Sequence, residues 1–150
     1  GKKTRTKSSN VEEKAKIKHL TPEERPITPY LPMMYNHPCT IWARSSLDNH
    51  EWTHCYGNAL NDEYRYRYGK EHKSIDQVVN KLPEPVNMQR VGFTEFGLAM
   101  TEELKDYDNP IQSYRDYYHL DKATFASWKY RDKPHWWNED YADYESRITR

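Results

Sequence analysis

One repeat constrains this chain more than anything else in it. Trp52, Tyr56, Leu60 and Tyr64 recur at every fourth residue, with Ala59 beside them. That spacing sets all four along one side of an α-helix. Both ends of the helix carry local signals. Ser46 or Asp48 offers an N-cap side chain, and Gly69 is the residue that most easily takes a left-handed C-cap. Arg65 and Arg67 fill the last turn, where the helix dipole favours cations. The sequence therefore predicts a helix over about 47–68 with its aromatic stripe turned inward.

Other segments are shorter. Thr21-Pro22-Glu23-Glu24 reads as a capped single turn, and Pro26, Pro29 and Pro32 make 26–38 an extended linker. Pro38 opens a short helix through Arg44. Ser74 and Gln77 form a capping-box pattern before Ile75, Val78, Val79 and Leu82, and Pro83 ends that helix. Residues 83–100 read as loop, with a short helix from Thr101. Asn109-Pro110 with Gln112 opens a helix carrying Ile111, Tyr114, Tyr117 and Tyr118. Asp121 to Lys129 continues or restarts it, with Phe125 and Trp128 on one side, and Pro134 stops it. No period-2 strand appears.

Core material is scarce: hydrophobic residues make up 35% of 150 positions. Thirteen Tyr, five Trp and three Phe compensate, because each ring carries a large apolar area. Tyr and Trp must also keep an O–H or N–H on a partner or in water, which favours a thin core of half-buried rings. The predicted class is mainly α, a small single-domain helical bundle with long loops and an aromatic-rich core. The predicted organisation is a basic arm and Pro-rich linker over 1–30, a helical domain over 31–137 and a polar tail over 138–150. Cys39 and Cys55 do not make a disulfide framework and fit a reducing cytosol. No apolar run approaches the length of a membrane span, and no signal peptide is visible.

Two constellations compete for function. His50-Glu51-x-x-His54 is the H-E-x-x-H pattern, in which two His one turn apart bind Zn²⁺ and the Glu serves as general base. The longer form of that motif continues through Gly57 but needs His where Leu60 stands. Two exposed histidines beside the packing stripe are the plainer reading. The sequence predicts no bound metal and no cofactor, with a metallohydrolase built on His50, His54 and Glu51 as the alternative.

The second constellation is E-Y-R-Y-R-Y-G-K-E-H-K, residues 63–73. Lys and Arg neutralise phosphates, while Tyr stacks on exposed bases. The later run from Tyr114 repeats the mixture. The net charge is zero, so attraction to a polyanion has to come from such local patches. The predicted DNA-binding residues are Tyr64, Arg65, Arg67, Lys70, His72, Lys73, Arg115, Lys122, Lys129 and Arg131. A basic helix end with inward tyrosines, in a non-catalytic helical interaction module, is the other reading.

As strings, N-H-P-C-T-I-W-A-R-S-S-x-D-N-x-E-W (36–52), E-Y-x-Y-R-Y-G-K-x-H-K-S (63–74), G-F-T-E-F-G-L-A-M (92–100) and Y-R-D-Y-Y-x-x-x-K-A-T-F-A-x-W-K (114–129) are distinctive. They resemble a family of small phage and bacterial proteins labelled as relatives of pyrimidine-dimer DNA glycosylase, the endonuclease V type. The resemblance covers about residues 31–137. The phage glycosylase ends in W-Y-K-Y-Y-G-K-A-x-Y-A, which is similar, with an insertion, to Tyr114-Arg115-Asp116-Tyr117-Tyr118 followed by Lys122-Ala123 and Phe125-Ala126.

The resemblance implies DNA as partner, glycosidic cleavage with a lyase step, and the cytoplasm of a bacterial host cell. It also implies departures. Family members begin with a hydrophobic strand and a helix bearing His-Cys-Asp-Lys-His. Endonuclease V-like enzymes attack with an N-terminal amine, assisted by Glu. No position of this sequence matches those elements. The expectation is a piece lacking the catalytic N-terminal segment, with that segment of the same protein as a partner and no activity on damaged DNA by itself.

Overall fold

The computed structural model describes residue 18 and residues 20–25 and 28–138. The basic arm over 1–17 and all of the polar tail beyond 138 lie outside the described residues. The fold is mainly α. Its helices are α1 (Pro38–Ala43), α2 (Leu47–Tyr68), α3 (Lys73–Gln77) and α4 (Pro110–Tyr117), and no strand occurs among the described residues. Single 3₁₀ turns lie at Pro22–Glu24, Val79–Lys81, Glu102–Leu104 and Ala123–Phe125, and a π turn at Tyr118–Lys122 follows α4 directly. Within the span read as one domain, the chain divides into two compact units, Gly1–Thr94 and Glu95–Arg150.

In the first unit α2 dominates, at about 33 Å by its 22 residues. Both predicted ends are present. The Ser46 hydroxyl accepts the Asn49 N–H at 3.1 Å, and Gly69 takes φ 65° with its N–H on the Arg65 carbonyl. The predicted inward stripe is not the buried face, however. Trp52, Tyr56 and Leu60 are 39%, 51% and 52% exposed, while Asn49 and Asn61 are buried. A Cβ on Gly57 would lie 3.3 Å from Ile75 Cδ1, so the packed face runs from Asn49 past the half-buried Gly57 to Asn61.

The reason is what packs there. Residues 89–94 fold back on the start of α2 and bring backbone polar groups that need partners. The Leu47 N–H donates to the Gln89 carbonyl at 2.9 Å, and the Ser46 hydroxyl donates to the Gly92 carbonyl at 2.9 Å. The Gly92 N–H donates to Asp48 Oδ2 at 2.9 Å. Asn49 Nδ2 donates to the Trp42 carbonyl and to Thr94 Oγ1 at 2.8 and 2.7 Å, while its Oδ1 accepts the Thr94 N–H at 3.2 Å. Trp42, itself buried, donates its indole N–H to the Thr94 carbonyl at 3.1 Å. An apolar side chain at 49 would satisfy none of these groups.

The helix expected after Ser74 also differs. His72, not Ser74, is the N-cap: its Nδ1 accepts the Ser74 N–H at 3.3 Å. α3 ends at Gln77, and Val78, at φ −124° and ψ −72°, leads into the Val79–Lys81 turn. Two successive β-branched residues crowd χ1 and are weak helix formers, which favours the break there.

In the second unit Leu98 and Leu104 are buried, and Asn109 caps α4 by accepting the Gln112 N–H at 3.3 Å, as its sequence signature predicts. The inward residues of the helical stretch are Ser113 and His119, whereas Ile111 and Phe125 are exposed. Ser113 bridges to Asp106, accepting its N–H at 2.8 Å and donating to its carbonyl at 3.2 Å. The chain leaves helical structure after Phe125, well before Pro134.

Around the π turn, aromatic rings replace the missing aliphatics. Tyr118 meets Trp128, Trp136 and Trp137 at centroid distances of 6.4, 5.9 and 5.8 Å. His119 lies flat against Trp137 at 4.8 Å. Its Nδ1 is 2.8 Å from the Arg115 carbonyl, and its Nε2 accepts the Asn138 N–H at 2.9 Å. The second bond leaves Nε2 without a proton, so Nδ1 is the donor to Arg115.

Candidate functional site

The predicted basic stretch at 64–73 forms the C-terminal end of α2 and the turn into α3. Asn61 shapes that turn. Its Oδ1 accepts the His72 N–H at 2.8 Å, and its Nδ2 donates to Glu71. Tyr64 packs inward, with its ring 4.7 Å from Tyr68 and edge-on to His72 at 4.9 Å. Tyr64 and His72 thus serve the local structure, while Tyr66 and Tyr68 are 58% and 53% exposed.

The four basic residues separate into two kinds. Arg65 pairs with Asp62, and its Nη1 lies 3.0 Å from Glu71 Oε1. The hydrogen bond to Asp62, and then the charge of Glu71, raise its pKa above the ordinary arginine value. Arg67 Nε donates to Glu63 at 2.8 Å. The Asp62 and Glu63 contacts are ordinary i,i+3 and i,i+4 pairs, and with Glu71 they offset much of the positive charge of both arginines. Lys70 and Lys73 are exposed and carry no ion pair among the described residues.

The second predicted stretch, 115–131, lies in the other unit, and there three of its cations sit on aromatic rings. Arg115 sits over Trp136 at 5.6 Å, Lys122 over Tyr117 at 5.1 Å and Phe125 at 5.7 Å, and Lys129 over Tyr130 at 5.9 Å. A ring face holds a cation without cancelling its charge. Arg131, the last residue of this set, is exposed.

His50, Glu51 and His54 line a cleft of about 520 Å³ in the first unit, together with Cys55, Glu84, Arg90 and an apolar wall that includes Leu47, Val79 and Leu82. Glu51 is engaged there by Arg90, whose Nη1 donates to Glu51 Oε2 at 3.0 Å and whose Nη2 meets Oε1. The same guanidinium donates to Asp48 Oδ1 at 2.9 Å. The Arg90 hydrogen bond holds the Glu51 carboxyl below the usual carboxylate range, despite some desolvation. At Asp48 desolvation pushes upward, but the Gly92 amide and Arg90 outweigh it, and the net shift is downward. Arg90 itself is shifted upward, first by its bond to Glu51.

A carboxylate held this way is a weaker base than a free one, contrary to what the protease motif asks of its Glu. His54 Nδ1 faces the Asn58 amide at 3.4 Å. Among the described residues no three His, Cys, Asp or Glu side chains gather into a metal site. The three motif residues therefore share a cleft wall without a third ligand among the described residues.

Sequence reasoning missed the Asp48–Arg90–Glu51 cluster, because Arg90 lies about 40 positions away and no local pattern links it to α2. It also missed the ring ladder on α2, although the spacing was visible. Trp42 meets Trp52 edge-on at 5.4 Å, and Trp52 stacks on Tyr56 at 5.1 Å with planes 15° apart. Among the described residues no helix is long and apolar enough to cross a membrane. No family model matches the chain, no curated protein matches it, and no solved structure matches it.

Proposed function

We propose that this chain is a DNA-associated protein that holds the phosphate backbone at the turn after α2, in keeping with its resemblance to the dimer-glycosylase group. One observation carries the reading: Lys70 and Lys73 are exposed and carry no ion pair among the described residues, next to the exposed rings of Tyr66 and Tyr68. Uncancelled charge beside aromatic faces suits a strand whose backbone is anionic and whose bases are planar. Arg115, Lys122 and Lys129 in the second unit, held on ring faces, are the second contact region of this reading. The glycosidic and lyase chemistry of the resembling enzymes belongs to the same proposal, with no residue of this chain assigned to it.

The test is fluorescence anisotropy on duplex DNA across a salt series. Each phosphate contact contributes a slope of about −0.9 in log K against log salt. Lys70→Ala with Lys73→Ala is expected to flatten the slope by nearly two units. Arg65→Ala with Arg67→Ala is expected to flatten it by less than one, since both arginines already face carboxylates. A lysine double variant that keeps the parental slope would sink the reading, particularly if only deletion of residues 1–19 changes it.

A further inference from the structure

Trp42 of α1 and Trp52 and Tyr56 of α2 form a graded ladder of rings. Trp42 is 5% exposed and fixed through its indole N–H on the Thr94 carbonyl. Trp52 stands edge-on to it at 39% exposure, and Tyr56 lies nearly parallel to Trp52 at 51%. Among the described residues Trp52 is the one ring partner that Tyr56 has. Tyr56, stacked on Trp52, is thus backed by a ring on one side and keeps about half of its surface open to solvent.

We infer that Tyr56 is a stacking platform for an unpaired nucleobase, a reading that rests on the DNA association proposed above and names the form of DNA it takes. Three features favour this occupant. A stack of parallel rings is extended most simply by another planar ring, and base–aromatic stacking tolerates any base. Cations lie further along the chain: Arg67 on the last turn of α2, paired with Glu63, and the exposed Lys70 just beyond the Gly69 cap. Tyr56 and the end of α2 are about 18 Å apart by helical rise, within reach of a strand of a few nucleotides.

Charge near the platform is compatible with a strand. Glu51, the carboxylate next to Trp52, is held by Arg90 rather than left open to repel a phosphate.

The experiment is anisotropy with a fluorescein-labelled oligothymidylate of about twelve nucleotides and with an undamaged duplex of the same length. Parent, Tyr56→Phe, Tyr56→Leu and Tyr56→Ala are compared at one salt concentration, with far-UV circular dichroism to confirm the helix. Tyr56→Ala is expected to weaken single-strand binding about tenfold, the effect of roughly one lost base stack, and to leave duplex binding within about twofold. Phe keeps the planar face and is expected to retain parental binding. Leu keeps apolar volume without the face and is expected to behave like Ala, which preserves the test if Ala disturbs the helix. Equal losses on both DNAs, no loss on either, or a Phe variant as weak as Ala would overturn the platform. Duplex binding that persists in those cases leaves the wider DNA reading standing, whereas a parent that binds neither DNA removes both.

Discussion

The two units answer one shortage in different ways. Both bury few aliphatic side chains, yet the first is fastened on α2 by buried amides and the second gathers rings around its π turn. On α2 the inward positions are Asn49 and Asn61, and the aromatic stripe faces outward. Around the π turn, Tyr118, Trp128, Trp136 and Trp137 enclose the structure, and His119 is the polar group among them. Directional bonds fix the first region in one arrangement. Ring packing is less directional, so the second depends on His119 to set its register.

The comparison breaks most sharply at Asn49. Asn49→Ala removes two donated bonds and one accepted bond at a fully buried position and leaves the Thr94 N–H without its partner. The expected loss is about 3 kcal/mol, larger than cavity formation alone would give at such a small side chain. Chemical denaturation followed by tryptophan fluorescence measures it, and a loss under about 1 kcal/mol would mean that the clamp does not hold the first unit.

In the second unit His119→Ala is expected to cost about 2 kcal/mol, through its stacking on Trp137 and its bonds to the Arg115 carbonyl and the Asn138 N–H. His119→Phe keeps a ring against Trp137 and is expected to recover about half. If Phe recovers nothing, the hydrogen bonds rather than the rings hold this region, and the contrast between the units disappears.

The smallest effect sharpens the comparison through pH. Arg90 holds the Glu51 carboxyl below its ordinary value of 4.5, and at Asp48 desolvation is outweighed by the Gly92 amide together with Arg90, which hold it below 3.8. A carboxylate whose folded pKa is depressed stabilises the fold above its unfolded pKa, and that contribution fades as pH falls through the folded one. Arg90→Gln is therefore expected to lower the thermal midpoint modestly at pH 7, with the gap to the parent closing below about pH 4.5. All three groups are solvent-accessible, so screening keeps the effect small and salt should shrink it further. A gap that stays constant down to pH 3 would show that the guanidinium acts through packing.

How much of this was legible follows from how local each signal is. The ends of α2 were readable because Ser46 and Gly69 act within a turn of themselves. The buried face was not, because it is chosen by residues 89–94, about 40 positions away, whose backbone groups demand partners from Ser46, Asp48 and Asn49. The basic stretch was readable as residue types. Its division into paired arginines and open lysines was partly present in Asp62 and Glu63, one turn before their partners, but Glu71 reaches Arg65 only because Asn61 folds the turn back. The cap at His72 was missed for the same reason: the bond from its N–H to Asn61 draws the helix start two residues earlier.

The π turn at Tyr118–Lys122 has a consequence for the lineage of this segment. A π turn accommodates one residue more than an α-helix of the same rise. It slips the phase of everything after it by about 100°, so the side chains before Tyr118 and those after Lys122 follow two different rotational registers. Removing a single residue such as Leu120 would restore α-helical phase through this turn and re-aim Lys122 and the short turn after it, so gain or loss of one codon here changes where the cations of this stretch point.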